Sequence, residues 1–287
     1  MTDLLTVQAL SVRYAGAHLP SVADVSFSLA TGEVLGVVGE SGSGKTTLGL
    51  ALLGLLPHGA KVHGSALFER AEILGVSERE LRPLRGTRLS TIVQNPATAL
   101  NPSFSVGSQI VALLRRHRTL SKSEARSLAI EWLDRVGISE PEKRMDSYSH
   151  QLSGGMNQRV VIAMALALSP RLVIADEPTS ALDVTVQAAI LRLITELIAD
   201  SGSSMVLITH DLGVVAQMCS RVIVMKDGAV VEAGEVDQIF HAPRSDYTQH
   251  LLASQPSHAA ATNRMPTSSD REAAVVESKF TEEHGHG

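Results

Sequence analysis

Cysteine occurs once in the 287 residues, at Cys219, so neither an intramolecular disulfide framework nor a multi-cysteine metal site is available; such usage fits a reducing compartment. Aromatic residues are scarce, with five Phe, three Tyr and one Trp, which leaves Leu, Val, Ile and Ala to fill the core. Long apolar runs are missing too. The longest, Leu48–Leu56 and Val160–Leu168, have nine residues each, against the roughly 20 that a helical bilayer span requires. The formal net charge is −5 and no polybasic run occurs, so electrostatic capture of nucleic acid or of an anionic membrane is not expected. The opening MTDLLTVQAL has neither a basic segment nor a sustained apolar stretch, and no secretory signal is expected there.

What is present is ordinary for a globular chain: 44% hydrophobic and 19% charged residues, with a length that suggests about two domains. Leu4–Tyr14 and Val22–Leu29 alternate in strand fashion, and Val34–Gly39 (VLGVVG) reads as a buried strand. A glycine-rich loop follows, then an apolar helix over Thr46–Leu56 that Pro57 is expected to stop. Short strands and turns fill 62–93, with a helix near Ser77–Leu84. From Ser105 the periodicity turns helical, and Ser121 with Glu124 forms a capping-box pattern. A loop-rich stretch over Ser139–Ser149 precedes another helix, Asn157–Leu168. Strand and helix then alternate through 171–176, Val184–Asp200, 203–210 and Leu212–Met218, before a hairpin turning at Asp227-Gly228. The order implies a largely parallel α/β core with a helical insertion.

The chemistry concentrates in few places. Gly39-Glu40-Ser41-Gly42-Ser43-Gly44-Lys45-Thr46 matches G-x-x-x-x-G-K-[ST] in the required setting, with a strand before it and a helix after it. Its amides can curl around phosphate oxygens at the positive end of the helix, Lys45 can bridge the β- and γ-phosphates, and Thr46 can ligate Mg²⁺. Asp176 ends the apolar run Leu172–Ala175 and is placed to hold Mg²⁺ through water; Glu177 follows at the sheet rim, where it can polarise the attacking water. His210 closes a second core strand on the same rim and can sense the γ-phosphate. About 130 residues separate Lys45 from Asp176, far more than one crossover needs, so an insertion lies between the halves of the site. Within it, Ser153-Gly154-Gly155 opens a helix as a second phosphate cradle. One nucleotide needs one cradle per chain, so this second one suggests service to another molecule's ATP.

With these residues in place the sequence resembles the ATP-binding subunits of ABC transporters over about residues 4–255. GESGSGKT looks like their Walker A motif, LVIADE their Walker B with the catalytic glutamate, and LSGGM their signature. Ser180-Ala181-Leu182-Asp183 resembles the D-loop, His210 the switch histidine, and Gln94 the Q-loop glutamine that also reaches toward Mg²⁺. Tyr14 stands where an aromatic stacks on adenine, and Thr47 extends the phosphate loop. The words QNPATALNP, HQLSGGMNQR, ITHDLGVVA and DYTQHLL are similar to the peptide/nickel importer branch. Two positions depart from that branch: Asn157 stands where arginine is frequent, and Ser149 where proline is.

The resemblance implies an α/β P-loop NTPase core (the ABC ATPase fold) over 1–255, with an N-terminal antiparallel β-subdomain and an inserted α-helical subdomain at about 100–165. It implies two subunits meeting head to tail, as homo- or heterodimer, with each ATP between one partner's Lys45 loop and the other's Ser153-Gly154-Gly155 and Asp183. It implies two transmembrane permease subunits, a separate solute-binding protein, no nucleic acid, and a peripheral location on the cytoplasmic face of the cell (inner) membrane. The solute would be a peptide, nickel, a metal chelate or a similar small polar molecule. An exporter cassette and a soluble ABC ATPase acting on DNA or ribosomes are the alternatives.

The remaining features read blandly. Arg115-Arg116-His117-Arg118 is expected to be a solvated helix end, having no interleaved aromatics to stack bases. Cys219 is expected in the core. Residues 256–287, which include His284 and His286, are expected to be a disordered polar tail.

Overall fold

Period-two alternation and two glycine-marked turns set the first half of the chain. In the computed structural model, which describes residues 3–254, β1 (Asp3–Arg13) and β2 (Val22–Ala30) are followed by β3 (Val34–Val38), the glycine loop and α1 (Lys45–Leu52). Next come β4 (Lys61–Phe68), β5 (Ala71–Glu72), the one-turn α2 (Glu78–Leu81) and β6 (Leu89–Ile92). A helical run comprises α3 (Pro96–Ala99), α4 (Val106–His117), α5 (Lys122–Arg135), α6 (Pro141–Arg144) and α7 (Gly154–Leu166). The chain then alternates β7 (Leu172–Asp176), α8 (Val184–Ser201), β8 (Ser204–Ile208) and α9 (Leu212–Met218). It finishes with the hairpin β9 (Arg221–Lys226) and β10 (Ala229–Glu235), then α10 (Val236–His241) and α11 (Asp246–Ala253). The expected tail at 256–287 lies outside the described residues.

Two sheets result. The first is antiparallel, in the order β2-β1-β4-β5. The second runs β10-β9-β3-β8-β7-β6, parallel from β9 to β6 with β10 antiparallel at one edge. Strict alternation decides what each face of this central sheet meets. Leu172, Ile174, Val206 and Ile208 turn toward α1 and the antiparallel sheet. Val173, Ala175, Met205 and Leu207 turn the other way, into the cluster built by α4, α5, α7 and α8. The strands are buried on both sides, which is why they read as continuous apolar runs. The fold is thus the α/β P-loop architecture with an antiparallel β-layer, and its helical run enters between the neighbouring strands β6 and β7.

Local chemistry sets several boundaries. Ser105 and Ser121 cap α4 and α5 by accepting from Ser108 N and Glu124 N, and Glu124 returns the bond to Ser121 N at 2.8 Å, completing the expected capping box. The basic end of α4 is solvated as expected, although Arg118 Nη2 also donates to Ala167 O at 3.2 Å. Two ends differ from expectation. Helix α1 stops at Leu52 rather than at Pro57, because Gly54 takes a left-handed φ of +61° beneath the Leu81 side chain. Helix α7 starts at Gly154, so both signature glycines belong to its first turn instead of preceding it.

Cys219 follows α9 and packs against β3, its sulfur 3.2 Å from the position a Cβ on Gly36 would take. Burial, with the Glu33 charge adding to it, pushes the thiol up to about 12. Because the thiolate is the nucleophile, the folded chain is expected to resist iodoacetamide at pH 8 and to be alkylated on unfolding, as read by intact mass. Rapid modification of the native protein would contradict this packing.

Candidate nucleotide-binding and hydrolysis site

Parallel strands leave their carboxyl ends on one rim, and the loops that leave this rim carry the candidate residues. After β3 the chain must turn sharply around whatever the loop encloses, and two glycines make that turn possible. Gly39 sits at φ +152° and Gly44 at φ +100°; a Cβ on the first would stand 2.1 Å from Met225 O, and on the second 2.2 Å from Ser21 O. No side chain fits at either position. Gly42 also takes a positive φ, and Ser41 lies exposed beside it. The downstream hairpin braces the loop, since Gly228 N donates to Ser43 O at 3.1 Å.

Lys45 begins α1 almost wholly buried. Its Nζ donates to Gly39 O and Glu40 O, both at 2.8 Å, and to Ser43 Oγ at 3.3 Å, so the ammonium closes the loop from within. Burial lowers its pKa from the ordinary lysine value, and the carboxylates of Glu177 and Asp176 oppose that shift. Thr46 Oγ1 donates to Asp176 Oδ1 at 3.3 Å, joining the loop to the end of β7. Burial raises the Asp176 carboxyl; the Thr46 hydrogen bond opposes this, Glu177 adds to it, and Lys45 opposes it. Tyr14 and Thr47 share a hydrogen bond of 3.1 Å, which holds the phenol at the end of the same loop.

Glu177 adopts a left-handed φ of +48°, a conformation that costs a side-chain-bearing residue roughly 1–3 kcal/mol. Its amide donates to Ile208 O at 2.8 Å, which seats it against the end of β8. There its Oε1 accepts from His210 N at 3.0 Å and lies 2.7 Å from His210 Nδ1. The structure therefore brings Glu177 and His210 into direct contact. Gln94 lies two residues beyond β6, and Glu177 one residue beyond the paired strand β7, so both leave the same end of the sheet.

Ser153, Gly154, Gly155 and Asp183 are placed elsewhere. Ser153 caps α7 through Met156 N at 3.2 Å, and Asp183 caps α8 through Val186 N at 3.0 Å. Both helices belong to the layer on the face of the sheet opposite α1. The two glycines rest against the first turn of α8 and the loop that leads into it: a Cβ on Gly155 would stand 2.8 Å from Val186 Cγ1, and one on Gly154 3.8 Å from Leu182 Cδ2. One chain thus presents two separate helix N-termini, at Lys45 and at Gly154, on opposite faces of the sheet.

Two contacts were not legible beforehand. Tyr247 of α11 accepts from Glu40 N at 3.2 Å while Lys226 Nζ lies 4.8 Å over its ring, so the end of the fold touches the phosphate loop. The departures at 149 and 157 prove to be neighbours: Asn157 Nδ2 donates to Ser149 O at 2.9 Å behind the second cradle.

A loop of this form can hold a triphosphate while a carboxylate beside it polarises water; by fold and by site the chain is a P-loop NTPase. The ABC transporter family matches residues 22–180, and the chain belongs to that family. It is 48% identical over 260 residues to the oligopeptide transport ATP-binding protein of Bacillus subtilis, covering 89% of this chain and 73% of the relative. It is 47% identical over 265 residues to the dipeptide transport ATP-binding protein of Escherichia coli, covering 91% and 81%. The peptidoglycan transport ATP-binding protein of Agrobacterium fabrum is 50% identical over 88% of this chain, which spans about half (47%) of that relative. Among solved structures, a dimeric ATP-binding cassette in a post-hydrolysis state with ADP and Pi superposes with a TM-score of 0.72 at 27% identity, covering 81% of this chain and 98% of the other. The chain is therefore an ATP-hydrolysing ABC cassette. No helix among the described residues is long and apolar enough to cross a membrane.

Proposed function

We propose that this chain energises a membrane importer of di- and oligopeptides by hydrolysing ATP between two head-to-tail cassettes. The observation that carries the reading is the separation of the two cradles: Lys45 and Ser153 open helices on opposite faces of one sheet. In this reading Gly39–Thr47 hold the phosphates, Tyr14 the adenine, and Ser153, Gly154, Gly155 and Asp183 the partner's nucleotide. Among the described residues no group of three or more His, Cys, Asp or Glu could hold a metal, so a cation here must draw most of its ligands from phosphates and water. The adjacent oxygens of Thr46 and Asp176, with Gln94, suit Mg²⁺, whose role when bound is to neutralise phosphate charge. Glu177 takes the proton of the attacking water, His210 orients Glu177, and Lys45 holds the transferring phosphate.

The cassette occupies residues 1–255, and its helical subdomain at about 100–165 is the arm that meets the permeases. Homologues whose names specify dipeptide or oligopeptide transport support peptides as cargo, with nickel chelates the second candidate that the sequence resemblance implies. Two permeases and a separate solute-binding protein would complete the transporter on the cytoplasmic face of the membrane. Uptake of a panel of peptides and nickel chelates into cells lacking and regaining the chain tests the cargo. Recovery of active protein on ribosomes or DNA, with no membrane partner, would overturn the transport reading.

The trans arrangement has its own test. Ser153→Arg is expected to leave ATP binding to the isolated chain unchanged and to abolish ATP-dependent dimer formation in analytical ultracentrifugation. Equal loss of binding by the single chain would refute it.

A further inference from the structure

The hydrolysis site and the second cradle of one chain lie on different helices, yet a continuous set of contacts runs between them. The signature glycines rest against Leu182 and Val186 at the start of α8. The next residue, Gln187, donates its backbone N–H to Asp183 O at 2.8 Å. Its side-chain Nε2 donates to Asp211 Oδ2 at 3.1 Å.

Asp211 is itself fully employed. Its Oδ1 accepts from Gly213 N at 2.8 Å and Val214 N at 3.3 Å to cap α9, and its own N–H donates to Thr209 Oγ1 at 3.0 Å. The residue between Thr209 and Asp211 is His210, bonded through backbone and ring to Glu177. A half-buried amide on α8 therefore sets where the loop carrying His210 is anchored.

We propose that Gln187 is a positioning residue that ties the placement of the His210–Glu177 pair to the α8 turn supporting the second cradle. The proposal deepens the proposed function and rests on that reading of Glu177 and of the two cradles. Asp211 uses one carboxylate oxygen to cap its own helix and the other to receive Gln187, so the loop cannot follow α9 alone. When α8 shifts against a partner's nucleotide, the Gln187 bond carries the shift to His210. One chain's hydrolysis then responds to the nucleotide that it helps its partner to hold.

Reversing the polarity of the bond tests this. Gln187→Glu sets a carboxylate against Asp211 and is expected to lower kcat about tenfold, because small misplacements of reacting groups are costly, with ATP affinity of the single chain unchanged. Asp211→Asn keeps the oxygen that caps α9 and offers Gln187 an amide, so it is expected near wild-type kcat. In the Gln187→Glu, Asp211→Asn double variant the new carboxylate accepts from the new amide, and kcat is expected to return to within about threefold of wild type. Thermal unfolding of all three is followed alongside, since a merely structural role would move the Tm without a matching loss and recovery of kcat.

Wild-type kcat in Gln187→Glu, or a double variant no faster than Gln187→Glu, overturns the proposal. Glu177→Gln in the same assay separates the two levels. If it is inactive while Gln187→Glu is fully active, only the positioning role fails. If it turns over normally, the reading of the site fails and this inference with it.

Discussion

Glu177→Gln is expected to lower ATP turnover by about 10²–10³-fold while leaving nucleotide binding intact, the loss typical when one well-placed electrostatic group is removed from a hydrolytic site. The change spares every contact that builds the cradle: Lys45 keeps its three acceptors, Gly39 and Gly44 keep their conformations, and Thr46 keeps Asp176. What disappears is the ability to accept a proton at the rim position that Ile208 and His210 fix. A chain that binds ATP without consuming it should accumulate as the closed dimer, visible by size-exclusion chromatography with ATP and absent with ADP. Near wild-type turnover would show that another group is the base.

Lys45→Ala is expected to fail one step earlier. The ammonium is nearly buried and its acceptors are loop carbonyls, so its removal takes away both the charge that a triphosphate meets and the tie that closes the loop. Hydrogen bonds to a charged group are worth about 1.5–3 kcal/mol, so ATP should bind about ten- to 150-fold more weakly in calorimetry. The variant also leaves Asp176 and Glu177 facing each other without the neighbouring cation, which further disfavours a phosphate there. Unchanged affinity would place the phosphates elsewhere. The two substitutions thus separate binding from chemistry: the first should trap nucleotide and the second should hold it weakly.

Much of this site was legible because its signals are local. The glycine loop, the Asp-Glu pair after a buried strand and the histidine closing another strand each carry their context within ten residues, and parallel pairing then brings them to one rim. The Ser121–Glu124 box and the Asp227-Gly228 turn are local in the same sense. The cap that starts α3, Asn95 accepting from Ala97 N with Pro96 at the first helical position, is a signal of the same local kind. The stop of α1 was misplaced because proline is a strong breaker, whereas Gly54 ends the helix through the packing of Leu81 from another element. Tyr247 touching Glu40 and Gln187 touching Asp211 were invisible for one reason. A sequence shows which residues can donate or accept, but pairing across 207 or 24 positions is decided by the sheet between them.

The brace behind the phosphate loop is also made late. Met225, Gly228 and Tyr247 all press on Gly39–Ser43, yet the ribosome makes them about 185–207 residues later. At about 5–20 residues per second, that is a delay of roughly ten to forty seconds. During this interval the nascent chain carries the complete phosphate-loop sequence without the strand that walls it in. The order of synthesis therefore leaves the loop without its brace until the last elements of the fold are made.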